Sequence, residues 1–229
     1  MKAIIVNLFR PLLICLAVIT VLASCDKDES PLPTPEPSAS ATLTDPITVP
    51  FFVVTEDGEM PSDDGQLLYE ARQHNPLLAP DGHQLTWGEF SSVKGEMMAE
   101  CTDEGTRVSL NLSGLIPYGQ YTLWNVTFEA PGMDPTQEML GIDGLGAAGI
   151  GDGSDNAFVA NRDGEASITL VSPGGELSLF GSAGACTLTD NFEWHLVGAY
   201  HIDGRVYGPD LGPDGTVAEQ FGFIHRNGN

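Results

Sequence analysis

Beyond residue 100, apolar and polar residues alternate in short runs that stop at glycine, proline, asparagine or aspartate, and this period of two commits the chain to β-strands. In Arg107-Val108-Ser109-Leu110-Asn111-Leu112 the apolar side chains share one face. Gln120 to Phe128 reads the same way, with Tyr121, Leu123, Asn125 and Thr127 opposed by Thr122, Trp124, Val126 and Phe128. Ala166 to Val171, Glu176 to Phe180, Phe192 to Ile202 and Val217 to Ile224 continue the set, and Phe51-Phe52-Val53-Val54 reads as a strand buried on both faces. Asp163-Gly164 and Asp203-Gly204 supply the positive φ angles of tight turns, the second joining the strand that ends at Ile202 to Arg205-Val206-Tyr207 as a hairpin. Leu67, Leu68 and Ala71 recur at helical spacing, which predicts one short helix over Gly65 to Arg72. Roughly eight strands in about 180 residues predict an all-β domain, an antiparallel two-sheet β-sandwich of immunoglobulin-like or jelly-roll kind, after a disordered N-terminal signal and linker.

The N-terminal residues obey another logic. Lys2 and Arg10 are the charges of the first 25 positions, and Pro11 to Ser24 is almost wholly apolar. That is the layout of a secretory signal peptide, too short to remain as a bilayer-spanning helix. Its exit, Leu22-Ala23-Ser24-Cys25, resembles the lipobox of a bacterial lipoprotein. The resemblance implies cleavage after Ser24, a diacylglycerol on the Cys25 sulfur and an acyl chain on its freed amine, each buried methylene adding about 0.8 kcal/mol of membrane affinity. Asp26-Lys27-Asp28-Glu29 resembles the export tag that some Gram-negative lineages place after the lipidated cysteine of surface lipoproteins, although an aspartate directly after that cysteine is also similar to an inner-membrane retention signal of other lineages. Prolines at 31, 33, 35, 37 and 46 then mark a Pro/Ser-rich stalk, whose roughly 17 residues span on the order of 50 Å as polyproline II. The expected organisation is a signal peptide over 1–24, lipidated cysteine and linker over 25–47, and one β-sandwich domain over 48–229.

Charge narrows the partners. The chain has 32 acidic and 9 basic residues, a net charge of −23, which becomes about −25 once Lys2 and Arg10 leave with the signal. Nucleic acid is excluded as a partner, because binding it requires neutralising Lys and Arg. The membrane is reached through the lipid rather than through charge. With Cys15 discarded and Cys25 acylated, Cys101 and Cys186 remain, and in an oxidising envelope an isolated pair is expected to form a disulfide.

Candidate chemistry is sparse. His195 and His201 fall on the same face of one strand, but six residues of strand place them roughly 20 Å apart, too far to share an ion. No His-x-His pair occurs, so copper-zinc superoxide dismutase chemistry has no foothold. His74, His83 and His225 are isolated. The glycine-rich run from Gly141 to Asn156 places Asp152, Ser154 and Asn156 in the alternation of a calcium loop, with Asp155 and Asp143 as further oxygen donors. Ala157 stands where an EF-hand turn needs glycine and Asp163 where its last ligand is glutamate, so only an irregular Ca2+ site is open to this loop. No Gly-x-Ser-x-Gly elbow is present, and no catalytic residue is assigned. Trp124 and Trp194 offer either core packing or a sugar-stacking face.

Gly114-Leu115-Ile116-Pro117-Tyr118-Gly119-Gln120-Tyr121-Thr122-Leu123-Trp124, followed late in the chain by His195-Leu196-Val197 and His201, resembles a group of secreted β-sandwich domains that pair a Tyr-Thr-x-Trp strand with a His-Leu-Val strand. The resemblance covers about half the domain and implies a sandwich, without an activity. The expected function is a lipid-anchored cell-envelope protein, at the outer membrane and facing outward, whose domain is a binding or structural module for a protein or glycan ligand. The alternative is an envelope hydrolase or metal-dependent enzyme built on the acidic glycine-rich loop.

Overall fold

A computed structural model of the protein describes residues 39–130 and 141–227. The signal segment, Cys25 and the linker as far as residue 38 lie outside the described residues. In chain order the elements are strands β1 (Ser40–Thr44), β2 (Ile47–Thr48), β3 (Val53–Val54) and β4 (Tyr69–Glu70), helix α1 (Trp87–Phe90), and strands β5 (Lys94–Thr102), β6 (Gly105–Ser113), β7 (Gln120–Phe128), β8 (Gly144–Ala147), β9 (Ala157–Val159) and β10 (Ala166–Pro173). Helix α2 (Thr187–Asp190) and strands β11 (Glu193–His201) and β12 (Val217–Arg226) complete the set.

Two antiparallel sheets pack into the expected sandwich. One has the order β1-β5-β6-β10, the other β2-β12-β11-β7-β8 with β9 also paired to β7, and β3 with β4 forms a small separate ribbon. The first sheet is one-sided. Val108, Leu110 and Leu112 of β6 point inward beside Met97 and Ala99 of β5, while Arg107 and Asn111 face water.

The second sheet is buried on both faces. All nine residues of β11 are buried; Trp194, Leu196 and Tyr200 join the core between the sheets, whereas Val197 and Ala199 pack with Trp124, Val126 and Phe128 in a separate apolar cluster on the outer side. Leu211 and Val217 pack against this outer cluster. Near its centre the β11–β12 ladder shifts register between Gly198 and Ala199, so Gln220 becomes an extra residue on β12. Gly198 is required there, because any side chain would collide with the Phe221 ring.

The bulge turns Gln220 into the core, where it closes a polar relay. Tyr121 Oη accepts from the Ile116 N–H (2.9 Å) and donates to Gln220 Oε1 (2.6 Å), and Gln220 Nε2 donates to the Phe90 carbonyl (2.8 Å). Burial drives the Tyr121 phenol far above its usual pKa, so it stays a donor at any physiological pH. Tyr121→Phe is expected to strand the Ile116 N–H and the Gln220 carbonyl and to lower stability by about 1–3 kcal/mol in urea unfolding. A loss under about 0.5 kcal/mol would show that water enters to replace the hydroxyl.

Cys101 and Cys186 form the expected disulfide, with sulfurs 2.03 Å apart, tying the end of β5 to the start of α2. Elsewhere the structure corrects the sequence reading. Pro50–Phe52 is a 3-10 turn, and only Val53–Val54 pairs, with β4. No helix forms over Gly65 to Arg72: the Leu68 N–H bonds to the Leu85 carbonyl and its carbonyl accepts from Leu77, so cross-chain partners take the groups a helix would use. Glu176 to Phe180 makes isolated bridges rather than a strand. The Asp203-Gly204 turn is present, with the Gly204 N–H on the His201 carbonyl, yet Arg205-Val206-Tyr207 does not return along β11. That place is taken by β12, and Ile202 bonds to Thr216. Strands not legible were the two-residue β2 and β4, β5, β8 within the glycine-rich run, β9, and β1, which comes from a stretch that reads as linker.

Candidate functional site

The residues proposed for calcium are spread along one edge rather than gathered. Asp143 precedes β8 at the Thr127 end of β7, and its Oδ2 accepts from the Glu129 N–H (2.7 Å). The loop carrying the others leaves β8 after Ala147, about four residues or roughly 13 Å along the strand. Asp155 Oδ1 accepts from the Ile150 N–H (2.9 Å), a contact possible only because Gly149, at φ 79°, has no side chain to strike that carboxylate. Asp152 Oδ1 accepts from the Ser154 N–H (2.9 Å), and hydrogen bonding to Ser154 holds its carboxyl below the usual range. Asn156 is buried, its Nδ2 donating to the Leu123 carbonyl (3.2 Å). These side chains build the loop. Among the described residues, no three His, Cys, Asp or Glu groups are gathered as a metal would need.

The tryptophans are core. Trp194 is fully buried between the sheets with Nε1 on Asn125 Oδ1 (3.0 Å), and Trp124 is buried in the outer cluster with Nε1 on Thr122 Oγ1 (2.8 Å). Neither offers a face for sugar stacking. His195 is paired with the buried Glu193, whose other oxygen accepts from Arg226 Nε, and burial lowers the imidazole pKa. His83 bridges Asp81 and Glu89, and its hydrogen bond to Asp81 raises its pKa. His74 stacks on Tyr69, and His225 meets the Leu188 carbonyl.

Among the described residues, two of the concave sites gather several titratable groups around open space. The first lies on the outer side of the second sheet, where Glu219, opposite Ala199, shares a cavity with Glu70, Arg72 and Asp214. Burial pushes the Glu219 carboxyl up to about 7, against the opposing pull of Arg72, which is itself paired with Asp214 at 3.2 Å. A carboxyl poised near neutrality is a common mark of acid–base chemistry. Yet the cavity holds only about 40 Å³, room for a few waters and not for a substrate.

The second is a mouth of about 350 Å³ at the end of the sandwich where β7 begins and β11 ends, a volume within the range of ligand sites. Leu78, Pro80, Gly82, Gln120 and Ile202 to Gly204 line it, with the exposed Tyr118 at its rim and the buried Tyr200 and His201 at its floor. Tyr200 donates to the Leu78 carbonyl (2.7 Å), and burial raises its phenol well above the usual range, so it remains protonated. His201 is 1% exposed, and its Nε2 lies 2.8 Å from Thr122 Oγ1. That oxygen also accepts from Trp124 Nε1 (2.8 Å). His201 Nδ1 has no partner among the described residues, a rare state for a buried polar atom.

No protein-family model matches the chain, and no curated protein shows significant similarity to it. Of the residues that line the two sites, the sequence singled out His201 but paired it with His195 only to set both aside. Tyr118 and Glu219 carried quieter signals. Pro117-Tyr118-Gly119 is a turn sequence with an aromatic in the middle, and Glu219-Gln220 breaks the alternation of β12 where the bulge falls.

Proposed function

We propose that the chain is a cell-envelope lipoprotein, held in the outer membrane through acylated Cys25, and that its β-sandwich is an outward-facing binding module. The reading is supported by the mouth of about 350 Å³, which combines an exposed aromatic with buried polar groups. The lipobox-like Leu22-Ala23-Ser24-Cys25 supplies the anchor, and the Pro/Ser-rich stretch after it supplies reach. A strongly acidic surface keeps such a domain soluble and away from anionic headgroups.

The anchor is tested in cells fed an alkyne-tagged palmitate. The wild-type chain is expected to take up label and sediment with membranes, whereas Cys25→Ala loses both properties. Membrane retention of unlabelled Cys25→Ala would overturn the lipid anchor. Outward display is checked in the same cells: added protease should degrade the domain on intact cells, and protection until the envelope is opened would place it inside.

A further inference from the structure

Tyr118 occupies a position that its backbone does not favour. The Gly119 N–H bonds to the Ile116 carbonyl at 2.8 Å, closing a four-residue turn with Pro117 second and Tyr118 third at φ 57°. This is the type II pattern, whose third residue is ordinarily glycine or asparagine because a Cβ is strained there. The conformation is held from outside: the Tyr118 N–H reaches the Asn161 carbonyl (3.3 Å) and the Ala160 N–H bonds to the Gly119 carbonyl (3.0 Å). Strain of this kind is usually offset by packing, but Tyr118 is 58% exposed. The turn needs no ring at all, so the ring stands to be explained by what it faces.

It faces the mouth described above. Leu78 and Pro80 share its lining, and, the unpartnered His201 Nδ1 aside, the hydrogen-bonding capacity left over is mainly that of acceptors. Tyr200 has spent its proton on Leu78, the Gln120 amide donates to the Phe158 carbonyl (3.0 Å), and Asp203 accepts from the Arg205 N–H (3.1 Å) and from Tyr207 with lone pairs to spare. A guest that suits these walls presents an apolar face to an aromatic ring and hydroxyl donors to oxygen acceptors. An anion is disfavoured by Asp203 at the end of the mouth and by a net charge of −23.

We propose that this mouth binds a neutral sugar ring of a glycan, stacked on Tyr118 and hydrogen-bonded to Asp203 and the Tyr200 oxygen; the assignment rests on the reading of the domain as a binding module. The stacking partner is thus a turn tyrosine, in place of the strand residues Trp124 and Trp194, which are core. Asp81, close enough to raise the Tyr200 pKa, adds negative potential on the same side.

The test uses the full-length protein in detergent, immobilised neutral polysaccharides (glucan, mannan, galactan and xylan), and a Lys/Arg-rich peptide as the competing ligand class. Wild type is expected to bind at least one neutral polysaccharide. Tyr118→Phe should keep that affinity within about twofold, and Tyr118→Gly should reduce it by at least about tenfold. Glycine suits a positive φ, so the melting temperature of Tyr118→Gly should equal or exceed that of wild type, which separates lost binding from lost folding. Glycan binding that survives Tyr118→Gly would overturn the site. Tyr118-dependent binding of the basic peptide with no glycan bound would overturn the sugar assignment and keep the binding module. Failure of every probe to bind in a Tyr118-dependent way would overturn both.

Discussion

Replacing Cys101 and Cys186 together with alanine is expected to lower the unfolding free energy by about 4 kcal/mol and the melting temperature by about 10 °C, while leaving the folded spectrum unchanged. The bridge spans 85 residues of sequence, and closing so long a loop in the unfolded chain removes much of its entropy. In the folded state the junction has other supports. The Thr187 N–H and hydroxyl both reach Thr106 Oγ1 at 2.9 Å, and β5 stays paired to β6 along its whole length. The effect should therefore lie in the unfolded state, with the native fold retained in the variant. Urea unfolding of wild type with and without reductant, beside the double variant, checks this: reduced wild type and variant should coincide. A melting shift below about 2 °C would show that the unfolded chain gains little freedom when the bridge is absent.

How much of this fold was legible depended on whether a strand alternates. β6, β7, β10, β11 and β12 were readable because their long runs keep apolar residues in step with the pleat. β5 hid because its inward residues, Gly95, Met97, Ala99 and Cys101, are not the β-branched or aromatic residues that mark a strand, and it is held in place by β1 and β6 on either side. β1 hid for a different reason. Ser40-Ala41-Thr42-Leu43-Thr44 does alternate, with Ala41 and Leu43 against the core, but small hydroxyl residues between prolines look like a tether. Overreading had the opposite cause: Leu67, Leu68 and Ala71 sit at helical spacing, yet Leu68 is buried and Leu67 is largely exposed, an alternation suited to paired chain. The candidate site was less legible than the fold. A strained φ at Tyr118 belongs to the backbone, and the neutral-range carboxyl of Glu219 depends on the loop from 211 to 215 folding across it, which no local pattern announces.

Glu219 gives the other large effect, as a pH dependence. Its carboxyl is raised from an ordinary 4.5 to about 7 by burial, so between those values the folded protein holds a proton that the unfolded chain has released. Folding is favoured where the folded state binds more protons, so this contribution is fully present below about pH 4.5 and is lost as pH rises through 7. The shift alone corresponds to about 3 kcal/mol; partial exposure of the side chain reduces the expected effect to about 1–2 kcal/mol. The charged groups facing it are Glu70 and Arg72 from the β3–β4 side and Asp214 from the covering loop, and Arg72 is already paired with Asp214. Above neutrality the chain must therefore hold a second carboxylate beside Glu70 with little free cation to meet it. Glu219→Gln keeps the shape and removes the ionisation. Urea unfolding at pH 5 should find the variant close to wild type, and at pH 8 it should be about 1–2 kcal/mol more stable. Histidines also titrate across this range, His83 losing its contribution as pH rises and His195 losing its own as pH falls, so the wild-type curve is a composite. They are common to both proteins and cancel in the difference, which should grow between pH 5 and 8. Parallel curves for the two proteins would mean that Glu219 ionises freely in the fold, and that the loop over it admits bulk water.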